Sequence, residues 1–278
     1  MEHSEVMRES EQRLTGLVPM SARLEAIVEL AEEGDTVCDV GCDHAHVPIR
    51  LIQTGSYRHA IGMDVIDGPL GKAAGNLALY GMEDKIELRL SDGLDACIPG
   101  QADTLVITGM GGTLMEEILL RNPDTAKSFS VLVLGPQSDP EKVRAALRRL
   151  DFVIAKERLI FEDGKYYPVL RAEAGRSAGQ AEYAEWKKDM MEKKDISPSV
   201  MQEAEDMFGP VLLKDRDPIL FEFLTRRTAV LHKILLSISQ AAQDTCKDQA
   251  LLQRHLARKR EIEHDITVFT AALAVYDQ

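Results

Sequence analysis

The sequence predicts an α/β fold, with one doubly wound, mostly parallel sheet followed by a region of helices alone. Three observations carry this. Short apolar strand patterns alternate with helical ones from Thr36 to Leu150. The run Thr36–Val40 passes at once into Gly41 and then into a helical pattern, the strand–turn–helix unit that opens nucleotide-binding sheets. Beyond Ala174 no strand pattern occurs.

Taken in order, residues 1–20 read as loose. Ser21 is a candidate N-cap for a helix with Leu24, Ile27, Val28 and Leu30 on one face, ended by Gly34-Asp35. Thr36–Val40 is the first strand, and its β-branched, apolar content marks it as buried. Gly41 makes the turn, and Pro48 suits the first turn of the next helix, where a missing N–H goes unmissed. A second strand, His59 to Val65, carries Asp64 at its end. Asp67-Gly68-Pro69 opens a helix that Gly81 closes. A third strand, Lys85 to Leu90, stops at Ser91-Asp92-Gly93. A fourth, Asp103 to Thr108, runs into Gly109-Met110-Gly111-Gly112 and a helix from Thr113 to Leu120. A fifth, Ser130 to Leu134, precedes Pro136 and a helix from Glu141 to Leu150. Phe152–Phe161 and Tyr166–Arg171 then flank an Asp-Gly pair, a strong hairpin signal. Five alternating strands plus a terminal hairpin is the pattern of a methyltransferase sheet, whereas a dehydrogenase sheet continues with parallel strands.

Gly175–Gly179 reads as a linker, which sets domains at 1–174 and 175–278. Residues 181–194 are helical in pattern, and a short element ends at Phe208-Gly209-Pro210. Two long helices follow, near 217–243 and 248–276. The first carries Leu220, Leu224, Leu231, Leu235 and Ile238; the second repeats Ile262, Ile266, Phe269, Leu273 and Tyr276 by fours and threes. Such a seam predicts an antiparallel, coiled-coil-like hairpin.

Length and a hydrophobic fraction of 45% suffice for a real core in 278 residues. No apolar run nears the ~18 residues of a membrane span. The N-terminus is polar, so a cytoplasmic protein is expected. Cys38, Cys42, Cys97 and Cys246 show no pairing framework and read as reduced, mostly buried thiols. The net charge of −13 argues against a nucleic-acid-coated protein and leaves room for local basic faces. Three helical clusters qualify: Arg144, Arg148 and Arg149; Lys187, Lys188, Lys193 and Lys194; Arg254, Arg258, Lys259 and Arg260. Solvated helix faces are the plain reading of each.

Candidate chemistry gathers at the carboxyl ends of the strands. Asp64, 23 positions after Gly41, is placed to accept from both hydroxyls of a ribose. Asp92 stands at the same edge, where it could accept from an adenine amino group or simply make a turn. The glycines at 109, 111 and 112 let backbone approach a ligand closely, or let strand and helix pack tightly. Asp43 and His44 form an acid–imidazole pair in the first turn. No metal is expected, because Cys38 lies inside the strand and no second ligand pair stands at zinc spacing.

Several stretches together, DVGCDHAHVP, IGMDVIDGPL, SDGL, TGMGG, KERLIFEDGKYYPVL and FGPVLL, resemble the bacterial TrmK family. That family methylates N1 of adenine 22 on the D-loop side of tRNA. The resemblance runs from Arg23-Leu24 to the terminal helices. It implies an S-adenosylmethionine-binding, Rossmann-like domain with the seven-stranded class I methyltransferase sheet, and a C-terminal coiled-coil domain that serves as a tRNA-binding arm. It implies that Gly41, Cys42, Asp64, Val65, Asp92, Gly93, Gly109, Met110 and Gly111 line the cofactor. Asp43 then faces the target base, with His44 orienting it or touching the base. Contacts to RNA are expected at Arg23, His46, Pro136, Arg148, Lys187, Lys188 and Arg258, and a monomer is expected. Two places depart from the family pattern: His46 stands where a tyrosine is usual, and Gly135-Pro136-Gln137 replaces Gln-Pro-Asn.

Competing readings are a non-catalytic cofactor-binding scaffold with a partner-binding arm, a nicotinamide oxidoreductase, and a small-molecule methyltransferase. A methyltransferase acting on another RNA position is a further alternative. The retained acid–imidazole pair speaks against the first, and the lone glycine of the first turn and the terminal hairpin against the second. The small-molecule methyltransferase leaves the C-terminal hundred residues without a task.

Overall fold

Thr36–Val40 forms strand β1 and His59–Asp64 forms β2, paired in parallel from Thr36↔His59 to Val40↔Met63. These belong to a computed structural model that describes residues 15–175, 179–244 and 249–277. The remaining strands are β3 (Ile86–Leu90), β4 (Thr104–Thr108), β5 (Val131–Gly135), β6 (Phe152–Glu162) and β7 (Lys165–Ala174). Their order across the sheet is β3-β2-β1-β4-β5-β7-β6. β1 to β5 pair in parallel, and β7 runs antiparallel between β5 and β6. The chain therefore moves outward from β1 to β3, then reverses through β4. Its switch point lies between β1 and β4, the place where open α/β sheets hold ligands. The seven-stranded, Rossmann-like sheet expected from the sequence is present.

Helices cover both faces. They are α1 (Ala22–Ala31), α2 (His46–Gln53), α3 (Asp67–Tyr80), α4 (Gly112–Arg121), α5 (Pro123–Lys127) and α6 (Pro140–Arg149). Ser21 caps α1 by accepting from the Leu24 N–H, and Gly81 ends α3 in a left-handed conformation. One core layer gathers Ile27 and Leu30 of α1 with Val37, Val106, Val133 and Val169. The other gathers Met115 and Leu119 of α4 and Val143 and Leu147 of α6 with Cys38, Ile107, Leu134 and Leu170. Each such side chain contributes roughly 1.5–3 kcal/mol on full burial.

Several details differ from the sequence reading. The loose segment expected at 1–20 is held at its end: Val18 is buried, its N–H donates to Gln53, and its carbonyl accepts from Arg50. The segment 1–14 lies outside the described residues, as do 176–178 of the linker and Cys246 with its neighbours in the last turn. α5 was not expected, because one turn started by Pro123 leaves no periodic signal. Arg144 does not belong to a solvated basic face. It is buried in an ion pair with Glu157 of β6 at 2.9 Å, so α6 turns one of its arginines into the core.

The chain splits into two compact units between residues 176 and 177. The second is helical: α7 (Gln180–Lys194), α8 (Pro198–Phe208), α9 (Pro210–Lys214), α10 (Pro218–Asp244) and α11 (Gln249–Ala274). α10 and α11 pack against each other, and Leu220, Leu224 and Leu231 of one and Ile262, Phe269 and Ala272 of the other are buried in the half of the hairpin away from its turn. Phe208 fixes the base of this hairpin, with its ring 4.7 Å from that of Phe269. Among the described residues, no helix is long and apolar enough to cross a membrane.

Candidate active site

The site is built where β1 ends. Gly41 takes a left-handed backbone (φ 75°) and donates to the Met63 carbonyl, as does Cys42, at 2.8 and 3.0 Å. This pins the turn to the end of β2. Asp43 and Ala45 also hold positive φ, 47° and 59°, which is strained for residues with a side chain. Strain of this kind persists only where surroundings enforce it. Here Ala45 donates to the Cys42 carbonyl, and Asn76 of α3 donates to the His44 carbonyl. The tight turn points the Asp43 carboxylate outward, 71% exposed, with His44 Nε2 3.4 Å away. The His46 ring stands edge-on to His44, 5.8 Å between centroids; burial, then His44, holds its pKa below the ordinary value.

Asp64 closes the turn from the other side. Its carboxylate accepts from the N–H groups of Asp43 and Ile66, at 3.3 and 3.1 Å. Val65 and Ile66 beyond it are more than half exposed, two apolar side chains at the mouth of the turn. Ile66 was not singled out from the sequence. Its only signal was its place two residues after a strand-end acid.

Asp39 is the second residue that sequence reasoning passed over. It sits inside β1, 2% exposed, and its Oδ1 has no hydrogen-bond partner. It pairs in register with Val106, so Thr108, two residues further on β4, shares its face of the sheet. The Thr108 hydroxyl is likewise buried and unpartnered. Burial first, and the Asp64 charge second, raise the Asp39 carboxyl from 3.8 to about 7. Two unsatisfied acceptors beside a left-handed glycine turn, under an exposed apolar pair, fit a ligand with a cationic donor and a flat ring. The cradle has little spare room on its glycines. A Cβ on Gly41 would meet Met110 Cε at 2.6 Å, and one on Gly112 would meet the Asp139 carbonyl oxygen at 2.1 Å.

The other expected positions fall as follows. Cys42 is buried against Gly62 with its thiol pKa raised by burial, so only its backbone faces the turn. Asp92 is engaged by Arg121, which donates to its carboxylate at 3.0 Å and to its carbonyl at 2.6 Å. Gly93 and Gly109 hold positive φ, Met110 lies over Gly41, and Gly111 precedes α4. Arg23 lays its guanidinium over the Tyr167 ring, 5.2 Å to the centroid, near Glu162 at 4.0 Å. Pro136 is buried, which differs from its expected contact with RNA; Gln137 and Ser138 are the exposed members of that loop. Arg148 is exposed on α6. In the helical unit, Lys187 is tied to the buried Glu205 at 2.7 Å, Lys188 lies 3.9 Å from Glu192, and Arg258 pairs with Glu261 at 2.8 Å. Among the described residues, no group of three or more His, Cys, Asp or Glu is placed to hold a metal ion.

A parallel sheet with this switch point, a glycine turn and a strand-end acid define a nucleotide-cofactor enzyme. The chain belongs to the family described as methyltransferase domain, which residues 20–170 match. Within it, the likeness to the TrmK proteins is borne out over nearly the full length. The tRNA (adenine(22)-N(1))-methyltransferase of Bacillus subtilis (strain 168) is 28% identical over 247 residues, covering 89% of this chain and 96% of that protein. The crystal structure of the B. subtilis m1A22 tRNA methyltransferase TrmK superposes with a TM-score of 0.75 at 26% identity, covering 92% of this chain and 99% of that one. A Streptococcus pneumoniae protein crystallised in complex with S-adenosyl-L-methionine superposes with a TM-score of 0.71 at 26% identity, over 92% of this chain and 100% of its own.

Proposed function

We propose that this protein transfers a methyl group from S-adenosyl-L-methionine to N1 of adenine 22 in tRNA. The observation that carries the reading is the Asp43–His44 pair, exposed at the lip of a turn whose inner wall fits the cofactor. Bound S-adenosyl-L-methionine supplies an electrophilic methyl group on a sulfonium. Asp39 and Thr108, buried and unpartnered, would accept from its ammonium group, Asp64 from its ribose, and the exposed Val65 and Ile66 would lie against its adenine. Asp92 is held by Arg121, and its part is to shape the adenine end of the cleft together with Gly93.

Adenine N1 carries an in-plane lone pair and attacks without losing a proton first. The product ring is cationic. A carboxylate beside it stabilises the charge that develops, and can accept a proton from the exocyclic amine. Asp43 has that position and is acceptor-only when ionised. His44 orients it. N1 lies on the pairing edge, so the base leaves its stack to react. The helical unit, residues 177–278, is read as the second grip on folded RNA, by shape and phosphate contacts.

The test is methyl transfer to unmodified bulk tRNA, with the modified nucleotide mapped. Asp43→Ala is expected to lose turnover while S-adenosyl-L-methionine binds with near-normal affinity by calorimetry. Near-normal transfer by that variant would remove Asp43 from the chemistry.

A further inference from the structure

The hairpin of β6 and β7 carries the KERLIFEDGKYYPVL stretch, which the proposed reaction does not use. Leu134 of β5 pairs with Leu170 of β7, and β5 ends one residue later, at Gly135. Tyr166 lies four residues beyond Leu170 along β7. At ~3.3 Å per residue the hairpin therefore projects about 10 Å past the end of β5. It projects from the carboxyl edge, the edge that carries Asp43 and Asp64.

A bulge between Ile154 and Lys156 decides which residues face where. Before it, Phe152 and Ile154 pack with the α4–α6 layer. After it the alternation is inverted. Lys156, Arg158 and Glu162 now face α1, where they pair with Glu32, Glu29 and Arg23. Glu157 faces α6 and pairs with Arg144. Phe161 shares the face of Glu157 and stands opposite Tyr166. Phe161 is 51% exposed, and its ring lies 4.7 Å from that of Tyr166, tilted by 43°. Glu162 and Tyr167 brace the other face of the hairpin against Arg23. The two rings are thus carried on a paired, braced backbone with a two-residue turn.

We propose that Phe161 and Tyr166 form a stacking platform for an unpaired base of the substrate RNA, a neighbour of the methylated adenine. The inference rests on the RNA methyltransferase reading above. Every nucleobase has a π-face, so base–aromatic stacking is favourable without sequence preference. β7, with Tyr166, and β6, with Phe161, lie three and four strands from β1, about 14 and 19 Å away at ~4.8 Å per strand. That is too far for the reacting base and suits a nucleotide close to it. A base drawn out of its stack also leaves its neighbours without a partner, and an aromatic pair at this edge supplies one.

Wild-type transfer to transcribed, unmodified tRNA is measured first; no transfer overturns the methyltransferase reading and the platform with it. Once transfer is seen, Phe161→Ala is expected to raise KM for tRNA about tenfold and leave S-adenosyl-L-methionine affinity unchanged. Phe161→Leu, which keeps apolar volume and lacks a π-face, is expected to behave like the alanine variant, and Phe161→Trp to restore KM. tRNA carrying 2-aminopurine next to the target adenine should lose fluorescence on binding the wild type, and lose less with Phe161→Leu. An unchanged KM in the alanine and leucine variants overturns the platform while the enzyme reading stands. So does a fall in cofactor affinity that matches the rise in KM.

Discussion

Replacing Asp39 by asparagine tests the core of the cofactor site without touching its surface. In the free protein the Asp39 carboxyl is buried, has one unpartnered oxygen, and titrates at about 7 instead of 3.8, through burial first and Asp64 second. The sign of the linkage follows. Below about pH 4 the folded and unfolded states both hold the proton. Between about 4 and 7 only the folded state holds it, so stability declines as pH rises. Above 7 neither holds it, and the decline stops. Over about three pH units, at roughly 1.4 kcal/mol each, the decline totals about 4 kcal/mol. Against a total stability of about 5–15 kcal/mol, that is a large fraction. Asparagine has no proton to lose, so Asp39→Asn should match the wild type below about pH 4, exceed it by roughly 1.5 kcal/mol at pH 5, and exceed it by up to about 4 kcal/mol at pH 8.

The assay has to see the right half of the molecule. The single tryptophan, Trp186, lies in the helical unit, so its fluorescence reports elsewhere. Native-state hydrogen exchange of the β1 and β4 amides reads the sheet directly. The same substitution should work in the opposite direction on binding. If, as proposed, ionised Asp39 accepts from the cofactor's ammonium, wild-type affinity should rise as pH climbs through 7. The variant should bind more weakly at pH 8 by about 1.5–3 kcal/mol, the range for a hydrogen bond to a charged group. It should also lose the pH dependence. Exchange profiles for wild type and variant that run parallel from pH 5 to 8 would show that Asp39 holds no proton in that window, and the argument fails.

Two further predictions concern the edges of the site and the second unit. Asp64→Ala removes the acceptor for the Asp43 and Ile66 N–H groups and the acceptor proposed for the ribose, and should weaken S-adenosyl-L-methionine binding by about 1.5–3 kcal/mol in calorimetry, with the domain still folded; unchanged affinity rules out the ribose role. Deleting residues 177–278 should leave a folded sheet domain that binds the cofactor, since that unit has its own core, and that methylates tRNA poorly. Full-length binding to tRNA should fall steeply with salt, as phosphate contacts do, and a truncated protein with full activity on tRNA assigns the arm to another partner.

Much of this protein is legible in its sequence because the relevant forces act over a few residues. Alternation and β-branched runs mark β1 to β5, Asp-Gly marks the hairpin, and Gly81 and Ser21 mark helix ends through local backbone geometry. Asp43, His44 and Asp64 are legible for the same reason, since a strand end and a glycine turn place them together. Other features depend on what arrives from a distance. Asp39 looks like any polar residue in a strand until β2 and β4 flank it and the fold seals it from water. Arg144 looks like one of three surface arginines until β6 brings Glu157 to it. Gly112 looks like a ligand-binding glycine, and its nearest constraint is the backbone of Asp139, 27 residues later. Lys187 counts as a free cation in the sequence and is bound to Glu205 in the fold. The bulge after Ile154 inverts the facing of every residue to the hairpin's tip, and no local pattern announces it. Propensity and periodicity belong to a segment alone, whereas burial, pairing and register are properties of two segments in contact, and only the tertiary structure decides which two meet.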